Sequence, residues 1–237
     1  MASLKQKIYR AFQWCARTFR TSRFTEAEKI MLPRSRYELA AESMHVLTQA
    51  VEAAISEFVE LLAEKEAAGI VSLLSANMIY FNNDEHYEEH MRVLKKAIHK
   101  ANILADHGYK GYAQALGTAV TTMYLIHPGV TEALVLPELL RSYGTKVEKS
   151  LARLARRTGL VNTGLPDNRT ARLFINWIEQ QRVFFGLPTH IEQLNRNDID
   201  ELVDEAISDA TPMYPVPIFY NTVELGQFLI PLIPKKK

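Results

Sequence analysis

Seven histidines and one cysteine are the side chains of this sequence best suited to bind a metal or to exchange protons. His86 and His90 stand four residues apart, with Glu89 before the second, in the order H-x-x-E-H. On a helix they would share one face and could bind zinc together. However, the preceding Asn82-Asn83-Asp84 stretch is typical of a helix start that faces solvent. We therefore favour an exposed helix start, and a weak surface metal site stays open.

Cys15 and a run of basic side chains are predicted to have structural rather than catalytic roles. Cys15 has no neighbouring histidine or acid and is predicted to pack, and one cysteine excludes an intramolecular disulfide or a cysteine-based zinc cluster. A basic run is predicted to be solvated, with an anionic lipid or an acidic partner as the alternative. No aromatic residues are interleaved with it, which argues against nucleic acid as a partner. The run consists of Lys146, Lys149, Arg153, Arg156 and Arg157.

Length and composition favour a folded domain with a substantial core. The chain has 237 residues, 47% of them hydrophobic, and a net charge of +1. A chain of this length can bury a large core, and this hydrophobic content is well above that of disordered segments. The near-zero net charge gives the whole molecule no electrostatic preference for nucleic acid or for acidic surfaces.

Residues 111–131 form a long run without any Asp, Glu, Lys or Arg. Such a run must be shielded from water, either in a membrane or in a protein core. Gln114, four threonines and two internal glycines make it a poor membrane span. We therefore predict that it is the central buried helix of the domain, ending at His127-Pro128-Gly129.

Caps and apolar spacing divide the rest of the chain into helices. Ser35 followed by Glu38 forms a capping box, and the helix behind it is predicted to end near Gly69. A further helix is predicted to begin at Thr131 and to kink or restart at Pro137, because proline removes a helical hydrogen bond. We find no convincing strand pattern, so the predicted fold class is all-α, a multi-helix bundle. Further helices are predicted over residues 70–80, 84–106 and 145–158, and from caps at Asp167, Asn197 and Asn221 to about residues 186, 208 and 229.

A basic amphipathic segment, residues 1–32, precedes the helical domain, which is predicted over residues 33–230 and followed by a basic tail, 231–237. The first 25 residues contain six lysines and arginines and no acid, and their apolar residues recur about every fourth position. Four interpretations stay open: a mitochondrial transit-type segment, a membrane-surface helix, a docking helix for a partner, or a terminal helix packed on its own domain. The predicted interaction residues are Leu4, Ile8, Phe12, Phe19, Arg10 and Arg17.

Three stretches, in this order and at this spacing, resemble one protein family. The first is MHVLTQAVEAAIS at residues 44–56, and the second spans residues 110–137 and contains KGYAQALG, HPGV and ALVLP. The third begins with GLPT at 186–189 and includes residues 198–209 and the proline-rich loop after them. Together they resemble the C-terminal, all-helical half of iron-containing alcohol dehydrogenases (the dehydroquinate synthase-like family). The resemblance covers about residues 33–230 and does not extend to the family's α/β half, which holds the nicotinamide cofactor.

The resemblance also implies a metal pocket whose ligands have been replaced. In the family, one Asp and three His bind the metal. The Asp position is His45, and the His positions are Gln49, Lys110 and Pro128. An amide, an ammonium and a proline are poor ligands for a divalent ion.

Two histidine positions near this pocket are also altered. His127 lies next to the last ligand position but is shifted by one residue, and Gln114 replaces a further active-site histidine. The Lys110 ammonium is expected to fill the vacated volume, with Glu52 as one candidate partner, because a buried cation needs one.

These features predict a degenerate dehydrogenase domain without a catalytic site, metal or cofactor. The expected function is that of an accessory or structural subunit, with other protein subunits as partners. A mitochondrial membrane assembly is the expected host, and a cytoplasmic location is the alternative. A second hypothesis is the metal-binding half of an oxidoreductase whose nucleotide-binding half is a separate chain, with His45 and His127 as remnants of the site. A third is membrane-surface binding through residues 4–19.

Overall fold

The described chain is a bundle of helices. The structure, a computed structural model, describes residues 35–78, 87–161, 164–210 and 216–235. No strand occurs in these ranges, which confirms the all-α prediction. The α-helices are α1 (Arg36–Ile55), α2 (Leu61–Met78), α3 (Tyr87–Asp106), α4 (Tyr112–Tyr124), α5 (Pro128–Tyr143), α6 (Thr145–Arg157), α7 (Asp167–Phe184), α8 (Ile199–Ala210) and α9 (Thr222–Gly226), with short 3₁₀ turns at Arg196–Asp198 and Ile230–Leu232.

Helix α1 is the element against which most of the bundle packs. Its start follows the predicted cap, because the side chain of Ser35 accepts a hydrogen bond from the Glu38 N–H at 3.1 Å. Three quarters of its residues are buried, and it contacts each of α2, α3, α4, α5 and α6. The uncharged run that we predicted as the central helix forms the shorter α4 instead. That helix ends at Tyr124, three residues before the predicted end.

The sequence-based boundaries of the first two helices were wrong. We predicted one helix from residue 35 to about Gly69, but α1 ends at Ile55 and α2 begins at Leu61. Gly69 lies inside α2, so residues 70–78 continue that helix instead of forming a separate one. The break coincides with a local turn, in which the Ser56 hydroxyl accepts a hydrogen bond from the Phe58 N–H at 3.4 Å.

Helix α5 differs from its prediction at both its start and its middle. It begins at Pro128 rather than at Thr131, with His127 as the N-cap, and it continues through Pro137. Proline in a helix interior costs about 3 kcal/mol. Pro137 is tolerated because α5 is buried against α1, α4 and α7, so that packing outweighs the lost hydrogen bond.

The last third of the described chain packs on this centre. Helix α7 packs on α6 and α5, α8 packs on α4, and a capping box formed by Asn221 and Glu224 begins α9 as predicted. Two other caps are shifted from their predicted positions: the N-cap of α7 is Pro166 rather than Asp167, and Asn195 rather than Asn197 caps the 3₁₀ turn before α8. None of the described helices is long and apolar enough to cross a bilayer.

Two groups of predictions fall outside the described residues. The first concerns the N-terminal segment, including Leu4, Ile8, Phe12, Phe19, Arg10 and Arg17, and its transit, membrane and docking interpretations. The second is the H-x-x-E-H pattern, since residue 86 and the side chain of residue 90 are not described. Both groups stay predictions.

Candidate functional site

His45, His127 and Glu132 come together where α1 meets the start of α5, and the charge of Lys110 acts on the same His45. The two helices α1 and α5 cross at Gly129, where their backbones touch. A Cβ atom at Gly129 would lie 1.8 Å from the Ala41 carbonyl oxygen and 2.9 Å from the His45 nitrogen. No residue other than glycine fits this crossing without moving a helix. The close approach places His127 and Glu132 of α5 directly beside α1.

His45 forms an ion pair with the buried Glu132. Its Nδ1 lies 2.9 Å and 2.8 Å from the two carboxylate oxygens, Oε1 and Oε2. Glu132 is fully buried, whereas the His45 side chain keeps 23% of its surface exposed. Burial alone disfavours a charged imidazole, but the charge and hydrogen bond of Glu132, together with the charge of Glu42, outweigh it and raise the pKa of His45 to about 9. His45 is therefore an imidazolium at neutral pH.

His127 forms a second histidine–glutamate pair beside the first. Its Nδ1 accepts a hydrogen bond from the Gly129 N–H at 3.2 Å, which caps the start of α5. Since Nδ1 accepts, Nε2 carries the proton and donates it to Glu42 Oε2 at 3.0 Å. Both ring nitrogens are thus engaged. The rings of His45 and His127 lie edge to face with centroids 6.3 Å apart, so the two pairs form one cluster.

Glu52 caps the start of α4 instead of pairing with Lys110, so the candidate partner that we named for that lysine was wrong. The Glu52 carboxylate accepts hydrogen bonds from the Ala113 N–H at 2.8 Å, the Gln114 N–H at 3.3 Å and the Gln114 side chain at 2.9 Å. A Cβ at Gly111 would lie 2.4 Å from its Oε1, so the carboxylate is held tightly against the backbone. The Lys110 charge instead acts on His45, where it disfavours the imidazolium.

Glu52 should make the protein less stable as the pH rises. Burial raises its pKa to about 7, and the hydrogen bonds from Gln114 and Ala113 only partly oppose this. Between pH 4.5 and 7 the folded state therefore binds a proton that the unfolded state has lost, and the free energy of unfolding falls with increasing pH. The shift corresponds to about 3 kcal/mol.

Replacing Glu52 by glutamine should remove this dependence. Between pH 4.5 and pH 7.5, the free energy of unfolding measured in urea should fall by about 3 kcal/mol less in Glu52→Gln than in the natural protein. Glu60→Gln, on the exposed turn after α1, is the control and should keep the natural pH profile. An unchanged profile in Glu52→Gln would show that Glu52 ionises normally in the folded protein.

Glu42 and Glu132 are the site residues that sequence reasoning missed. Each lies more than 80 residues from its histidine partner, so no local pattern connects them. One sequence signal did exist for Glu132, since it is the first charge after the long uncharged run and is surrounded by apolar residues. A lone carboxylate in such a stretch indicates a buried acid that needs a partner.

Comparisons with known proteins agree with this architecture. No protein-family model matches the sequence. The 1,3-propanediol dehydrogenase of Citrobacter freundii is 25% identical over 178 residues, which cover 72% of this chain and 44% of that protein. The crystal structure of a 1,3-propanediol oxidoreductase superimposes with a TM-score of 0.71 at 23% identity, covering 84% of this chain and 52% of that one. An iron-containing alcohol dehydrogenase from Thermococcus thioreducens gives a TM-score of 0.69 at 16% identity, with 83% and 51% covered.

The chain has the fold of the helical half of iron-containing alcohol dehydrogenases. It spans about half the length of the relatives that it matches. The fold and the family resemblance inferred from the three sequence stretches are thereby confirmed. Any activity named for these relatives describes those proteins alone.

The side chains at the family's metal position do not fit a divalent cation. Lys110 supplies a positive charge, Pro128 has no donor, and Gln49 offers only a weakly ligating amide. Both nitrogens of His127 are engaged, and His45 is held as a cation by Glu132. Within the described ranges, no three His, Cys, Asp or Glu side chains cluster in a way that could bind a metal ion.

Proposed function

We propose that this chain is a non-catalytic accessory domain that serves as a structural subunit of a larger protein assembly. The observation that carries the proposal is the chemistry at the former metal position. Two histidine–glutamate pairs link α1 to α5 there. Lys110 occupies a position where the family resemblance implies a metal ligand. Such a cluster links helices, and it engages both imidazoles with carboxylates, so that neither is free to bind an ion that would activate a substrate.

Metal binding provides the direct test of this proposal. Purified chain that is incubated anaerobically with Fe²⁺ or Zn²⁺ and then desalted should retain a substoichiometric amount of metal by elemental analysis. The matched positive control restores the family's ligands in the same scaffold, with His45→Asp, Gln49→His, Lys110→His, His127→Pro and Pro128→His. Because the chain has the fold of the family's helical half, this variant should gain about one equivalent of zinc, and the charge of the bound Zn²⁺ replaces that of His45 beside the buried Glu132.

The alternative function is the metal-binding half of an oxidoreductase whose nucleotide-binding half is a separate polypeptide. Its support is that the chain spans about half the length of its relatives. Stoichiometric iron or zinc in the natural chain, lost in His45→Ala, would favour this alternative and overturn the non-catalytic proposal. NAD(P)⁺-dependent alcohol oxidation that appears only when a co-purifying chain is present would do the same.

The assembly part of the proposal has its own test. Affinity-tagged chain from the native source should elute in gel filtration together with other polypeptides, well above its own mass of 27.0 kDa. A self-contained monomer from that source would count against an accessory role, whatever the metal content.

A further inference from the structure

An exposed apolar patch lies at the junction between α1 and α2. Phe58, Leu61 and Leu62 keep 75%, 61% and 62% of their surface exposed, although they stand within five consecutive residues. Isolated exposed apolar side chains are normal, but three large ones side by side indicate a surface that is covered by something. We call these three residues the junction patch.

The exposed charges next to the junction patch in sequence are two glutamates and one lysine, Lys65. Residues 57–66 contain two further glutamates, but Glu64 pairs with Arg153 and Arg157, and Glu66 pairs with Lys100. The remaining acids, Glu57 and Glu60, are exposed beside the patch. An apolar surface bordered by exposed carboxylates fits an occupant that is apolar and basic.

Two exposed apolar side chains at the end of α7 have no excess of acid beside them. Val183 and Phe184 are 64% and 44% exposed, and we call them the α7 patch. Arg182 is adjacent in sequence, and Glu179, one turn earlier, pairs with Arg141. A basic occupant would gain no charge attraction here, so the α7 patch provides a matched control for the junction patch.

We propose that residues 4–19 of this same chain dock on the junction patch. Their apolar residues recur about every fourth position, which places Leu4, Ile8, Phe12, Cys15 and Phe19 on one face of a predicted helix. The first 25 residues carry six basic side chains and no acid, so their charge complements the exposed Glu57 and Glu60. Of the four interpretations of the N-terminal segment, this assignment selects packing on its own domain.

The chain is long enough for this contact. Helix α1 has 20 residues and is therefore about 30 Å long, and the junction patch follows its C-terminal end. Residues 20–34 connect the docking segment to the start of α1, and 15 residues can extend to about 50 Å. The connection can thus run back along the full length of α1.

The single native cysteine allows a direct test in the full chain. Cys15 lies on the apolar face of the segment, and Leu62→Cys places a second thiol in the junction patch. With a short bifunctional thiol reagent, the intramolecular cross-link in Leu62→Cys should form at least about five times faster than in Val183→Cys, the matched control in the α7 patch. Both substituted residues are exposed, so neither change should prevent folding.

Charge reversal provides the second variant. Adding Glu57→Lys and Glu60→Lys to Leu62→Cys should lower the cross-linking rate to that of the Val183→Cys control, because the segment would then meet like charge. Equal rates in Leu62→Cys and Val183→Cys would overturn the proposal, as would cross-links that join two chains. Flotation of the chain on anionic phospholipid vesicles through residues 4–19, with cross-linking at the control rate, would identify a membrane as the occupant instead. A native chain that begins after residue 19 would also overturn it.

Discussion

Gly129→Ala should lower the free energy of unfolding by about 3 kcal/mol or more. The added methyl group would overlap the Ala41 carbonyl oxygen and the His45 nitrogen, which are backbone atoms of α1 and cannot rotate away. The two helices would have to separate, which would open the interface between α1 and α5 and pull His127 and Glu132 away from their partners. Urea denaturation of both proteins measures the difference.

Gly164→Ala is the control for this prediction. No atom lies within 4 Å of a Cβ at Gly164, so the same substitution there should change stability by less than about 0.5 kcal/mol. If Gly129→Ala were as stable as Gly164→Ala, the close crossing of α1 and α5 would be wrong, and with it the placement of both histidine–glutamate pairs.

His45→Ala should lower the free energy of unfolding by about 3–5 kcal/mol at pH 6. The substitution leaves Glu132 fully buried without its cationic partner. The raised pKa of His45 also fixes the pH dependence. Its stabilisation is complete below the unfolded pKa of 6.5 and is lost as the pH rises through about 9. The difference between natural protein and His45→Ala should therefore shrink between pH 6.5 and pH 9.5.

Two further variants show whether the destabilisation in His45→Ala comes from the unpaired charge on Glu132 or from the loss of packing. His45→Leu/Glu132→Leu replaces the whole pair by apolar groups and should be more stable than His45→Ala, because no buried charge remains. His190→Ala removes a histidine whose partner, Glu192, is 75% exposed and should cost less than about 1 kcal/mol. A double variant no more stable than His45→Ala would show that the cost comes from packing and not from the charge on Glu132.

Local sequence signals predicted the helices, but tertiary packing decided several of their ends. The Ser35–Glu38 and Asn221–Glu224 caps were readable because each is complete within four residues. Gly69 and Pro137 misled the prediction for one common reason. Glycine and proline are intrinsically poor in helix interiors, but burial of the surrounding helix outweighs that preference when enough apolar surface is packed.

The contacts of the site residues could not be predicted from the sequence. The resemblance of three stretches implied one site containing His45, Gln49, Lys110, Gln114 and His127. The pairing of the two histidines depends on where α5 crosses α1, and His127 and His45 are 85 and 87 residues from their glutamates.

The contacts of α1 have a consequence for how the chain is made. Synthesis proceeds from the N-terminus, so α1 leaves the ribosome before the helices that surround it. Roughly 70 residues separate its end from the start of α5, which at about 5–20 residues per second is a delay of several seconds. During that interval, only some of the helices that bury α1 in the folded protein have been synthesised. The nascent chain therefore passes through a stage at which a chaperone has an apolar helix to bind, and this stage ends only when translation has reached α5.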